Sequence, residues 1–151
     1  MKSPLNSTFQ FAVALMLGVV AARAQTAFNT ASLPLWFEAG GSATFAAHAP
    51  DAAFFVTATN TQFILRQPAG GTATGGMRLL GSSPAARLAG EAEMPGKVNY
   101  LRGSDPAQWR AGVPVYPRVR VDQVYPGINL VYYGNGRQLE YDFDLAAGVN
   151  P

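Results

Sequence analysis

The chain contains no cysteine, a single histidine and few charges, which make up 13% of its 151 residues. Without cysteine there is no disulfide framework and no thiolate metal site. His48 alone cannot build a zinc centre, and with no nucleophile paired to it cannot complete a catalytic triad. No segment after residue 24 keeps a helical apolar period over any length, and no internal repeat of fixed period is present. Basic residues are not clustered among aromatics, so the footprint of nucleic-acid binding is missing. The glycine-rich run 70–76 has no lysine and no following helix, which excludes a phosphate loop, and Ser82-Ser83 and Asp105 lack a nucleophile-elbow context.

What is present begins with a leader. Lys2 is followed by an apolar run from Phe9 to Ala22, interrupted only by Gln10, and by the small-x-small site Ala22-Arg23-Ala24. The run is short of the roughly 20 apolar residues that span a bilayer. Residues 1–24 are therefore expected to be a helical signal peptide, cleaved before Gln25, with no membrane association afterwards. Two of the 11 basic residues lie in that leader and none of the 9 acidic ones does, so the mature chain is close to neutral. Its expected place is secreted or at the cell surface. Residues 25–32 read as a flexible lead-in, and residues 33–151 as one domain.

Frequent glycine and proline, with plentiful β-branched and aromatic residues, fit short strands joined by tight turns. Strands are predicted at Leu35–Glu38, Met77–Leu80, Arg87–Ala89, Val98–Leu101 and Tyr116–Val121. A hairpin is predicted from Ala53–Ala58 and Gln62–Gln67 around Thr59-Asn60-Thr61. Ser42–Asp51 reads as loop or extended chain, and Pro68–Gly76 as a mobile loop. Ser104-Asp105-Pro106 should cap one helical turn, with Trp109 anchoring it on the core. Tyr125-Pro126-Gly127 should turn the chain. The clearest pattern is the last: Ile128–Tyr133 and Gln138–Leu145 flank Gly134-Asn135-Gly136-Arg137, a strong hairpin signal. In the second strand Leu139, Tyr141, Phe143 and Leu145 alternate with Gln138, Glu140, Asp142 and Asp144, so the apolar set should pack and the acidic set should face out. The expected architecture is all-β, an antiparallel β-sandwich or partly closed β-roll.

The row Glu140-x-Asp142-x-Asp144 is the sharpest candidate site. Same-face residues two apart in a strand lie roughly 7 Å apart, close enough to share a cation or a sugar. The row is similar to the Glu-x-Asp-x-Glu strand of laminarinase-like glycoside hydrolases, with Asp144 in place of the last glutamate. The favoured expectation is a solvated polar face paired with Arg118 and Arg120, with a calcium site and a degenerate glycoside hydrolase as alternatives. Trp36 and Trp109, with Tyr132 and Tyr133, could offer a sugar-stacking platform. The ligand-binding candidates are thus Glu140, Asp142, Asp144, Trp36 and Trp109, with no catalytic residue, metal ligand or cofactor assigned.

The co-linear series Leu33-Pro34-Leu35-x-Phe37-Glu38, Asn99-Tyr100-x-x-Gly103-x-Asp105-Pro106-x-x-Trp109, Val113-Pro114-x-Tyr116, Tyr125-Pro126-Gly127-Ile128-x-Leu130-Val131-Tyr132-Tyr133-Gly134 and Leu139-Glu140-Tyr141-Asp142-Phe143 resembles one family. It is the N-terminal domain of bacterial exported proteins that often carry seven-bladed β-propeller (SBBP-type) repeats downstream. The chain departs from that pattern at Asn129, at Gly40-Gly41-Ser42 and at Ala147–Pro151. The resemblance implies a non-enzymatic surface or secreted module with a structural or interaction role, with the propeller repeats as its partner. It also implies a domain that continues beyond Pro151, so an open sheet edge is expected near there. A carbohydrate-binding module for a surface glycan is the alternative function.

Overall fold

A computed structural model describes residues 34–41 and 43–149. The expected leader and lead-in lie outside the described residues. Eleven strands follow in chain order: β1 Phe37–Ala39, β2 Phe45–Ala49, β3 Ala52–Val56, β4 Asn60–Arg66, β5 Thr72–Arg78, β6 Arg87–Glu91, β7 Lys97–Tyr100, β8 Arg110–Tyr116, β9 Arg118–Tyr125, β10 Ile128–Asn135 and β11 Gln138–Leu145. A 3-10 turn, Pro106–Gln108, precedes β8. The strands form two sheets, one of seven strands in the order β5-β4-β3-β2-β1-β8-β7 and one of four in the order β11-β10-β9-β6. Every described pairing is antiparallel. The fold is the all-β sandwich that the alternation predicts, with neither sheet closed into a barrel.

The core lies between the facing sheets. Phe37, Phe45, Ala47 and Val56 come from the larger sheet, and Val119, Val121, Leu130 and Tyr132 from the smaller. Their strands alternate core and outer residues, which is what a two-layer sandwich requires. Each fully buried valine, leucine or phenylalanine contributes about 1.5–3 kcal/mol by leaving water. Two contacts set how the sheets meet. The Tyr116 ring of β8 lies on Gly90 of β6, where an added Cβ would sit 2.4 Å from a ring carbon. The Thr61 hydroxyl of β4 donates to the Tyr132 phenol of β10 at 2.8 Å.

Three elements differ from expectation. Pro68–Gly76 is not a loop: β5 occupies Thr72–Arg78 and pairs with β4 along its whole length. The Phe63 ring covers Gly75, 2.5 Å from where a Cβ would stand, so the glycine lets an aromatic of the neighbouring strand lie flat there. The loop shrinks to residues 67–71, with Gly70 and Gly71 at φ +91° and +84°. Tyr116–Val121 is not one strand either. Pro117 has no N–H to give a ladder, and here the chain leaves the larger sheet at Tyr116 and enters the smaller at Arg118. The first hairpin turns two residues early, because the Thr57 hydroxyl accepts from the amides of Thr59 and Asn60. The Ala-rich stretch takes the extended of its two readings and contains β2.

The 3-10 turn forms as expected, with the Asp105 carboxylate accepting from the Ala107 amide at 3.0 Å. Trp109 does not anchor it on the core. The indole is 40% exposed and its Nε1 donates back to the Gly103 carbonyl at 3.2 Å, so it closes its own loop. The last hairpin is as expected, with Asn135 opposite Gln138 and Gly136 at φ +59°. The packing of its apolar face is only partly so. Leu139 reaches the core, while Tyr141, Phe143 and Leu145 are 47%, 42% and 41% exposed. β11 is the edge strand of the smaller sheet, which leaves these three side chains partly open to solvent.

Candidate functional site

The acidic row lies on the outer face of the smaller sheet. Antiparallel register sets Asp144 opposite Asn129, Asp142 opposite Val131 and Glu140 opposite Tyr133, with Arg120 and Arg118 beyond them on β9. Each carboxylate has its own partner. Asp144 pairs with Arg120 at 3.1 Å, Asp142 accepts from the Tyr133 hydroxyl at 2.9 Å, and Glu140 accepts from the Asn135 amide at 2.9 Å. Arg120 also reaches Asp122 at 2.8 Å and Glu91 at 3.8 Å, and Arg118 reaches Glu91 at 2.9 Å. The hydrogen bond to Asp122 is the first cause of a raised Arg120 pKa, and the Asp142 bond holds the Tyr133 phenol up at about 12. The face is polar, as the sequence favoured, but only Asp144 of the row is paired with an arginine, and Arg118 turns to Glu91 instead. Among the described residues no three His, Asp or Glu side chains converge to hold a metal ion.

The two candidate tryptophans stand apart from that row. Trp36 is half-buried just before β1, in a cleft shared with Pro34, His48, Pro50 and Arg137. Trp109 follows the 3-10 turn. The five candidates therefore occupy three places and do not make one site.

Two other concavities are better built. The first is on the outer face of the larger sheet. Register aligns Gln62, Phe55, Ala46, Glu38 and Val115 as a row across five strands. Ala46 is the small member, and the surface dips between Phe55 and Glu38. The resulting cavity is about 360 Å³ and is lined also by Tyr100, Arg102, Arg110 and His48. Glu38 is only 7% exposed, a rare state for a carboxylate, and accepts a hydrogen bond through Oε2 from the Tyr100 hydroxyl. That bond, with burial adding to it, raises the Tyr100 pKa. The Tyr100 ring carries two guanidinium groups, with Arg110 Cζ at 5.7 Å and Arg102 Cζ at 6.0 Å from its centroid. Neither arginine has a carboxylate partner among the described residues. The sequence reading passed over this group. Glu38, Tyr100 and Arg110 are separated in the chain, and only the β1-β8-β7 order brings them together. Glu38 and Tyr100 did stand in the family-like motifs, without a role.

The second concavity is the uncovered underside of β11. Phe143 and Leu145 meet Leu80, Tyr125, Ile128 and Val149 around an apolar hollow of about 630 Å³. Beside it runs the backbone edge of β11, which no strand among the described residues pairs.

No curated protein and no solved structure matches the chain. A family model does, across residues 36–151, and it takes in both concavities and the acidic row. The chain belongs to the family described as a domain of unknown function, DUF7948.

Proposed function

We propose that this domain is an exported, non-enzymatic β-module with a structural or interaction role, which docks further β structure along β11. The observation that carries the reading is the conjunction at that edge of a strand unpaired among the described residues with an exposed apolar row beneath it. Contiguous apolar surface beside an open edge is what strand addition uses: main-chain bonds extend the sheet, and alternate side chains fill the hollow. Charge selects the occupant. The outer face of β11 shows Glu140, Asp142 and Asp144, of which Asp144 alone is paired with a cation. A segment alternating apolar residues with lysine or arginine complements both faces. A second copy of β11 does not, because antiparallel addition would set two acidic rows side by side. The family-like motifs propose the source of that segment, propeller-type repeats following the domain in the same protein. The leader pattern of residues 9–24 supports export.

The test uses eight-residue peptides alternating valine with lysine or valine with glutamate, titrated into the full chain and followed by amide NMR. The lysine peptide should perturb β11, and Phe143→Lys should remove the effect. Equal perturbation by both peptides, or none by either, overturns docking at this edge. Export is tested separately by expressing the precursor in a bacterium and sequencing the N-terminus of the released protein. Gln25 at that terminus supports the leader, and intact Met1 in the cytoplasm overturns it.

A further inference from the structure

We propose that the Glu38 cavity binds an acidic saccharide, a hydroxylated ring bearing a carboxylate. The site lies on the larger sheet, away from β11, and does not depend on the docking proposal.

Three features define the ligand. Arg102 and Arg110 flank one opening with no carboxylate of their own among the described residues. Guanidinium groups prefer carboxylate, sulfate or phosphate oxygens, which they can grip in pairs. Both guanidinium groups contact the Tyr100 ring and both line the same cavity, so cation–π contact fixes part of the anion site in advance. The second feature is an acceptor. Glu38 gives Oε2 to Tyr100 and lines the cavity, so its second oxygen, Oε1, is the acceptor left for a ligand. A ligand meeting it must donate hydrogen bonds, as sugar hydroxyls do. A ligand that was only an anion would face an uncompensated carboxylate. The third feature is shape. Ala46 makes a flat floor beside the Phe55 side chain, and about 360 Å³ is within the range of small-ligand sites. A carboxylate at the arginines and hydroxyls at Glu38 place the ring over Ala46.

The same residues have a reading without a ligand, in which Tyr100 caps a buried carboxylate and the arginines shield the pair. Calorimetry with the full chain separates the two. The probes are trimers of galacturonate and of mannuronate, the methyl esters of both, and sodium sulfate. At least one acidic trimer should bind, its ester about tenfold or more weaker, consistent with loss of one charge-assisted contact. Arg102→Gln and Arg110→Gln should each weaken binding by about tenfold. Ala46→Leu should abolish it by filling the floor with no change in charge. Arg66→Gln is the remote control, and far-UV circular dichroism checks that each variant is folded. No binding by either acidic trimer overturns the proposal. So does equal binding of acid and ester, or sulfate competing as well as the trimer, which would mark an anion site alone. Phe143→Lys should leave saccharide binding unchanged, which keeps failure here distinct from failure of docking at β11.

Discussion

The Thr61 hydroxyl donates to the Tyr132 phenol at 2.8 Å, and this bond crosses from one sheet to the other inside the core. Thr61 is 5% exposed and Tyr132 1%. A buried polar atom that loses its partner costs about 1–3 kcal/mol. Tyr132→Phe should therefore lower unfolding free energy by that amount in urea titrations. Pairing it with Thr61→Val should cost less than the sum of the two single changes, as expected for groups that satisfy each other.

Gly90 is predicted to resist substitution for steric reasons. A Cβ there would lie 2.4–2.6 Å from three atoms of the Tyr116 ring, which is itself held edge-on to Phe45 at 5.6 Å. Gly90→Ala should cost about 1–3 kcal/mol, the usual cost of overpacking. Gly41→Ala, with nothing within 4 Å of the new atom, should stay within about 0.5 kcal/mol. Thermal melts of the two variants make the comparison.

Asp142 should govern the ionisation of Tyr133. The phenol donates to that carboxylate, and its pKa rises from 10.0 to about 12. A group whose folded pKa is raised adds stability that is fully present below pH 10 and lost as pH rises through about 12. Ultraviolet titration near pH 11 should show Tyr133 still protonated. In Asp142→Asn it should ionise closer to 10, and the alkaline loss of stability should begin earlier.

Tyr100→Phe should destabilise the larger sheet. It leaves Glu38, 7% exposed, without the hydroxyl that satisfies Oε2. The cost should be at least about 1–3 kcal/mol, since the orphaned group is a carboxylate. Glu38→Gln replaces the orphaned carboxylate by a neutral amide, so Tyr100→Phe with Glu38→Gln should be more stable than Tyr100→Phe alone. Urea titration of the three variants decides it.

The parts of the fold that were legible in the sequence are those set by neighbouring residues. Period-two alternation and Pro-Gly or Asn-Gly turns located β10, β11 and the first half of β9, and the acidic row faces out with Arg120 against it as the alternation implied. What was not legible depends on the other sheet. Phe143 has the pattern of a core residue, but whether anything covers it depends on how far the larger sheet extends. Gly75 looked like part of a loop because its reason for being glycine is the Phe63 ring, twelve residues earlier. The Glu38 cavity was hidden for the same reason: β1 and β7 are separated in the chain by nearly 60 residues and are joined only through β8.

Pro117 marks where the chain changes sheets, and that placement bears on the order of assembly. The strands β2 to β5 and β9 to β11 pair with their sequence neighbours and can form early, because closing a short loop costs little entropy. β1 pairs with its neighbour β2 on one side, but its other side takes β8, whose last residue, Tyr116, sits opposite Phe37. The larger sheet therefore completes only after the chain has emerged up to the proline. Until then the Phe37 edge stays open, which makes this interval the one in which a newly made chain most needs protection from pairing with another.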